Sequence, residues 1–181
     1  MKPLKRPVRR SLLVVHVCAA AGWLGLTLGL LALAVTALTT ESTTTVGAAV
    51  RSMKVFTDWL VLPLALLTLL SGLVLAVGTP WGLARHRWVV IKFWLTLGTV
   101  TASVFALRPG VNEAVETVSE NAALASPTDL VAGPIVSLSA YLFMTVVSIL
   151  KPWGPTRRGR RLRAEISSRK TLDERSPRQT V

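Results

Sequence analysis

The sequence predicts an all-α membrane protein, a bundle of four transmembrane helices with a short amphipathic helix outside it. The first observation is composition: 51% of the 181 residues are hydrophobic and 17% are charged, against about 25% charged in an average soluble domain. The second is segregation, because no Asp, Glu, Lys or Arg occurs in 11–40, 59–84 or 130–150. Charge-free apolar runs of about 20 residues are typical of membrane-spanning helices.

Four spans follow in order along the chain. They are predicted at 12–38, 55–77, 88–107 and 131–150. At about 1.5 Å of rise per residue, each is about 30 Å long or longer, enough to cross the hydrocarbon core. The spans form one membrane domain, 11–150, between a basic N-terminal segment, 1–10, and a basic tail, 151–181, that is expected to be flexible.

The distribution of cations predicts the orientation. The N-terminal segment holds five Lys or Arg residues, the connection between spans two and three holds two, and the tail holds ten, whereas the opposite side holds three. Because cytoplasmic loops carry the excess of cations, both termini are predicted to be cytoplasmic. The protein itself is predicted to lie in the cell membrane. Span one is longer than the apolar region of a signal peptide and is expected to be retained. Cleavage there would leave three spans and an external N-terminus.

The outer connection between spans three and four, 109–134, is not a plain loop. Its apolar residues recur at helical spacing, at Val111, Ala114, Val115, Val118 and Ala122. Its acids fall on the other side, at Glu113, Glu116 and Glu120. The pattern predicts a short amphipathic helix at the outer surface that ends before Ser126.

The tail carries an arginine-rich run at 157–163 directly after span four. Clustered cations beside a membrane attract anionic lipids, so the bilayer and its anionic lipids are the expected partners of this segment. No aromatic residues interleave with the run, and no nucleic-acid partner is expected.

Polar residues in the spans fall into stripes. One stripe runs from Lys92 through Thr96 in span three, a second through Tyr141, Thr145 and Ser148 in span four, and a third joins His16 to Trp23 in span one. Such stripes either hold helices together or line a ligand cleft or solvated pathway. At matching depth, His16, Lys92, Thr96, Thr145 and Ser148 can form a polar cluster near the inner membrane surface, and intramembrane ionisable residues point to function.

Each ionisable residue of the spans also has a structural interpretation. The Lys92 chain can reach the cytoplasmic headgroups from one turn inside the membrane, and a neutral His16 can bond to a hydroxyl or a backbone carbonyl. Asp58 lies at the outer end of span two, about 20 Å from the level of Lys92. Its expected partners are therefore cations at the outer rim, Arg51, Lys54 or Arg108.

Cofactor sites have few candidate ligands. The single cysteine, Cys18, excludes multi-cysteine metal sites, and it points away from His16 because two helical residues turn the chain by about 200°. No metal site is predicted. Haem b, held by His16 with the loop residue His86, is kept as an alternative.

Small residues four apart, at Ala21, Gly25 and Gly29, permit a close approach between helices. That approach is either internal or to a second copy of the chain, so a homo-oligomer or another membrane-protein partner is possible.

Three strings carry a resemblance: LLVVHVCAAAGWLGLTLGLLAL at 12–33, SGLVLAVGTPWGLARHRWVVIKFWLTL at 71–97, and LRPGVNEA at 107–114. Together they resemble a family of small bacterial four-helix membrane proteins of unassigned activity. The first string is also similar to the opening helix of copper-resistance D-type membrane domains, although the chain lacks their further spans and His or Met ligands. The resemblance implies that His16, Trp23, Trp81, Trp88 and Lys92 belong to a shared pattern.

The sequence predicts no enzyme, because it contains no nucleophile–base pair, metal set or cofactor motif. A structural or accessory role in the membrane is the expected function. Haem or metal binding at His16, and a small-solute or ion carrier that uses the inner polar cluster, are the alternatives.

Overall fold

The computed structural model describes residues 4–78, 86–120, 122, 124, 127–157, 159–161, 164–165 and 167–168. Between 6 and 150 the described residues form six α-helices and two π-helical segments, and no strand occurs in the described part of the chain. The elements are α1 (Arg6–Thr39), α2 (Thr43–Phe56), a first π-segment (Thr57–Val61), α3 (Leu62–Gly78), α4 (Arg87–Ala102), a second π-segment (Ser103–Leu107), α5 (Arg108–Ser119) and α6 (Pro127–Leu150).

Four continuous helices are long and apolar enough to cross a membrane. They are Arg6–Thr39, Thr43–Gly78, Arg87–Ser119 and Thr128–Leu150. Each contains one of the four predicted spans, but the second and third run well beyond the apolar segments. The helix is not broken at those limits because each π-segment keeps helical backbone at both of its ends.

The four long helices contact one another in a cycle. α1 packs against α3 and α6, and α4 also packs against α3 and α6, so that α1 and α4 lie on opposite sides. We call the end where α1 begins and α6 ends the basal end. The opposite end, where α2 packs against α1 and α5, is the distal end.

The distal end holds the larger hydrophobic core. Leu30 of α1, Val50 and Met53 of α2, and Val111 of α5 are at most 2% exposed there. Helix α2 is missing from the sequence-based prediction, which treats the residues before span two as a connection. Ser42 caps its N-terminus, where the Ser42 hydroxyl accepts a hydrogen bond from the Thr45 amide at 3.3 Å.

The predicted outer helix exists, but its extent and placement differ from the expectation. Val111 and Ala114 are buried as the spacing predicts. The helix ends at Ser119, so Ala122 lies beyond it, and it continues α4 through the second π-segment instead of lying separately on a surface. The physical reason is its packing against α2, an element that the prediction lacks.

The small-residue stripe of α1 makes no close internal approach at its centre. Gly25 is exposed, and a Cβ added there would meet no atom within 4 Å. Gly29 faces Phe56 at ordinary contact distance, 3.7 Å from the added Cβ. The internal alternative therefore fails at Gly25.

Candidate ligand-binding cleft

A cleft of about 710 Å³ lies between the four long helices in the basal half. Its walls come from α1, α3, α4 and α6. It extends from the level of Trp23 and Tyr141 to the basal end at Arg9 and Ile149. Its volume falls in the range of about 300–1,000 Å³ found for small-molecule sites.

The structure brings most of the predicted site residues to this cleft. The residues concerned are His16, Trp23, Lys92, Thr96, Tyr141, Thr145 and Ser148. They come from three different helices, and their stripes face inward because each repeats in steps of three or four residues. Asp58 lies at the distal end and Trp81 lies outside the described residues.

His16 is fixed against α3. Its Nδ1 lies 3.1 Å from the Thr68 carbonyl oxygen and 3.0 Å from Ser71 Oγ. A carbonyl oxygen accepts, so Nδ1 carries the hydrogen and, in the neutral ring, Nε2 holds the lone pair. Gly72 permits this approach, because a Cβ there would stand 2.9 Å from His16 Cε1. The structural interpretation of His16 thus matches its contacts, with Nε2 left as the acceptor nitrogen.

Lys92 is half-buried on the opposite wall. Its Nζ donates a hydrogen bond to Ser148 Oγ, and its carbonyl accepts one from Thr96 Oγ1 at 2.8 Å. The Lys92 side chain therefore reaches α6 close to its basal end at Leu150, and the snorkelling interpretation stays a prediction.

One buried hydroxyl on the cleft wall, Thr68 Oγ1, forms no hydrogen bond within the described part of the chain, and its residue is 8% exposed. The hydroxyl of Tyr141, a residue 7% exposed, lies close to the hydroxyls of Thr27, Thr99 and Ser137, although none of them meets the full geometry of a hydrogen bond with it. The Tyr141 ring is held by Trp23, with ring centroids 4.7 Å apart and planes at 51°. A buried polar group without a partner costs about 1–3 kcal/mol, so such groups call for an explanation.

The sequence analysis missed the contribution of α3 to this site. Thr68 and Ser71 are the only hydroxyl side chains in 59–78. They lie three residues apart and therefore share a helix face. That spacing was the available signal for a wall that faces His16.

The polar network at the distal end is of a different kind. Asp58 accepts from Lys54 Nζ at 2.9 Å and from Arg108 Nε at 3.0 Å. Lys54 also donates to Asn112 Oδ1 at 2.6 Å. Two of the three expected partners of Asp58, Lys54 and Arg108, are thus paired with it, and they connect the first π-segment to α2 and α5.

Metal and haem chemistry gains no geometric support from these contacts. Among the described residues, no group of three His, Cys, Asp or Glu side chains is placed to hold a metal ion. Cys18 is exposed on α1. His86 precedes α4 and pairs with the backbone of Pro155 in the tail. Haem binding at His16 stays a prediction.

The chain matches no protein-family model, no curated protein and no solved structure. The family resemblance of the three strings therefore stays a prediction, and the functional argument rests on the geometry of the cleft.

Proposed function

We propose that this chain is a non-enzymatic, multi-pass protein of the cell membrane that binds a small molecule in its basal cleft. In this proposal the four long helices form a transmembrane bundle. The basal end faces the cytoplasm, because the N-terminal segment and the tail carry 15 of the 21 Lys and Arg residues. Both termini are then cytoplasmic.

The observation that carries the proposal is the wall of the cleft itself. It presents a lysine whose described partner is a neutral hydroxyl, together with the buried Thr68 hydroxyl, which has no hydrogen-bond partner among the residues described. A site that only joined helices would be expected to satisfy these groups within the protein. Groups left unsatisfied around a concavity are typical of a binding site, where sequence and structure depart from the rules of stable packing.

The hydrogen bonds around His16 support binding in preference to catalysis. A serine nucleophile has to donate its hydroxyl hydrogen to its base. Ser71 Oγ instead donates to the Leu67 carbonyl at 2.5 Å, and it accepts from His16 Nδ1. The pair is therefore arranged to hold the ring in place and leaves Ser71 unactivated.

The distal core argues against passage of a solute through the protein. Leu30, Met53 and Val111 fill the space between α1, α2 and α5 beyond the cleft. A carrier would have to separate these helices, whereas binding requires only the cleft. A binding or accessory role is thus favoured over the carrier alternative.

Native mass spectrometry of the protein from membranes tests the proposal. The wild type is expected to retain a small-molecule adduct, and Ala20→Phe, which fills the cleft wall, is expected to lose it. Leu28→Phe is the matched control, because Leu28 is 48% exposed on α1 and does not line the cleft. An adduct that survives Ala20→Phe unchanged, or no adduct on any variant, would contradict binding in the cleft.

The orientation has its own test. Tags fused to the two ends are expected to resist external protease in intact cells and to be digested after lysis. Digestion of either tag in intact cells would contradict the proposed topology.

A further inference from the structure

We infer that the ligand of the cleft is an anionic amphiphile, with its acidic head held at Lys92 and a single apolar chain along the cleft wall. This inference rests on the proposed binding function and adds the chemical class of the ligand. Two sources share this chemistry, a free fatty carboxylate and a single-chain lipid phosphate.

The charge of the wall has one sign. Arg9 and Lys92 line the cleft, and no Asp or Glu is among its lining residues. Both ion pairs of the described chain lie at the distal end on Asp58. A cation removed from water needs an anionic partner to offset its desolvation, and Lys92 has only Ser148 in the described structure. The missing partner is therefore an anion.

The hydrogen-bonding groups of the cleft wall also favour an anion. The Thr68 hydroxyl has no partner among the described residues, and Ser148 Oγ accepts from Lys92 and so keeps its own hydrogen to donate. A carboxylate or phosphate oxygen is an acceptor for such donors. Bonds between an ionised acceptor and these groups are roughly twice as strong as neutral ones.

The rest of the wall is apolar. Carbon-rich side chains line it on every helix, among them Leu13, Val17, Leu69, Leu73, Phe93 and Met144. A small hydrated anion would leave this surface without a partner. An alkyl chain covers it, and burial of that chain removes its apolar surface from water. The ligand is therefore expected to carry an apolar chain behind its charged head.

The volume of the cleft and its closed inner end fit a single alkyl chain. The cleft of about 710 Å³ ends at the Trp23–Tyr141 ring pair and reaches the basal end at Arg9. Arg9 is exposed and stands where an anion would enter from that end. A positive rim attracts an anion before it reaches Lys92.

Equilibrium binding of radiolabelled dodecanoate to the full chain in phosphatidylcholine nanodiscs tests the class, with empty discs as background. Unlabelled dodecanoate is expected to compete at least tenfold better than dodecan-1-ol or dodecyltrimethylammonium, because only the carboxylate forms a charge-assisted bond. Lys92→Met is expected to weaken dodecanoate binding about tenfold, and Lys92→Arg is expected to restore most of it. Arg9→Gln is expected to weaken binding about threefold and most at low salt.

Matched controls test the chemical class of the ligand separately from its binding in the cleft. Lys54→Met removes a cation at the distal end and is expected to leave dodecanoate binding unchanged, whereas Ala20→Phe is expected to abolish it. Dodecan-1-ol that competes as well as dodecanoate, or full binding by a Lys92→Met protein, overturns the anionic class. The proposed function then still stands if Ala20→Phe removes the native adduct, so the two failures are distinguishable.

A last arm identifies the source of the anion. Tighter binding of dodecanoate than of a lysophosphatidate supports the inference and assigns a free fatty carboxylate. Tighter binding of the lysophosphatidate supports it and assigns a lipid phosphate. If neither anion binds the wild type, the inference is overturned.

Discussion

The two ends of this protein place their charged residues in opposite settings. At the distal end Asp58 is paired with Lys54 and Arg108, beside the larger of the two hydrophobic cores. At the basal end Lys92 faces a cleft whose wall has no acid. The same long helices run through both ends, so the difference lies in which side chains they present. It indicates that the distal end maintains the fold and that the basal end serves a ligand.

Packing follows the same division. Ten buried residues form the distal cluster, against five around Trp23 and Tyr141 beside the cleft. Tightly packed cores transmit strain and tolerate little change, whereas a cleft wall has room to accept substitutions. Mutations should therefore affect stability at one end and ligand binding at the other.

The largest expected effect is on stability, from Met53→Ala at the distal core. Met53 is 0% exposed between α1, α2 and α5. Its truncation is expected to lower the free energy of unfolding by about 2–5 kcal/mol, through lost contacts and a residual cavity. Unfolding in mixed detergent micelles measures it. The comparison variant is Leu13→Ala on the cleft wall, 51% exposed, which should cost less than about 1 kcal/mol. Equal losses would remove the contrast between the ends.

The second prediction concerns the distal charges. Asp58→Asn removes the negative charge from both ion pairs and leaves Lys54 and Arg108 close together. Partly exposed pairs contribute up to about 1 kcal/mol each, so a loss of about 1–2 kcal/mol is expected, decreasing at high salt. Glu113→Gln, an exposed acid of α5, should change stability by less than about 0.5 kcal/mol. A loss that does not respond to salt would contradict an electrostatic cause.

The third prediction is a gain in the free energy of unfolding, from a substitution at the basal end. Thr68→Val keeps the shape of the side chain and removes a buried hydroxyl without a partner. The ligand-free protein is expected to gain about 1 kcal/mol of stability, while ligand binding weakens. Thr99→Val is the control, because the Thr99 hydroxyl donates to the Leu95 carbonyl at 3.1 Å and its loss should bring no gain. A destabilised Thr68→Val protein would show that this hydroxyl is satisfied in solution.

The sequence predicts those features of the molecule that depend on the spacing of apolar, polar and charged residues. Charge-free runs locate the long helices, and steps of three and four residues place Lys92, Tyr141 and Ser148 on inward faces. The distal layer escapes prediction because α2 begins with a run of threonines and lacks a long apolar segment. The π-segments have no sequence signature, and the contact of His16 with Thr68 depends on how two helices meet.

The smallest expected effect on stability comes from Gly25→Ala, which tests whether the protein is a monomer or a dimer. Gly25 is exposed on α1 and an added Cβ meets nothing within 4 Å, so Gly25→Ala should stabilise the helix by about 0.5–1 kcal/mol in a single chain. If a second copy packs on this stripe, the added methyl group would separate the two backbones and shift the mass measured by light scattering from dimer to monomer. Gly47→Ala is the comparison on the distal side, where an added Cβ would stand 2.7 Å from the Arg51 guanidinium and 3.2 Å from Val118 Cγ1, both within the chain, and should leave the mass unchanged. A mass change for Gly25→Ala alone would show that the face of α1 beside the cleft is an interface, and that the contrast between the two ends belongs to an assembly.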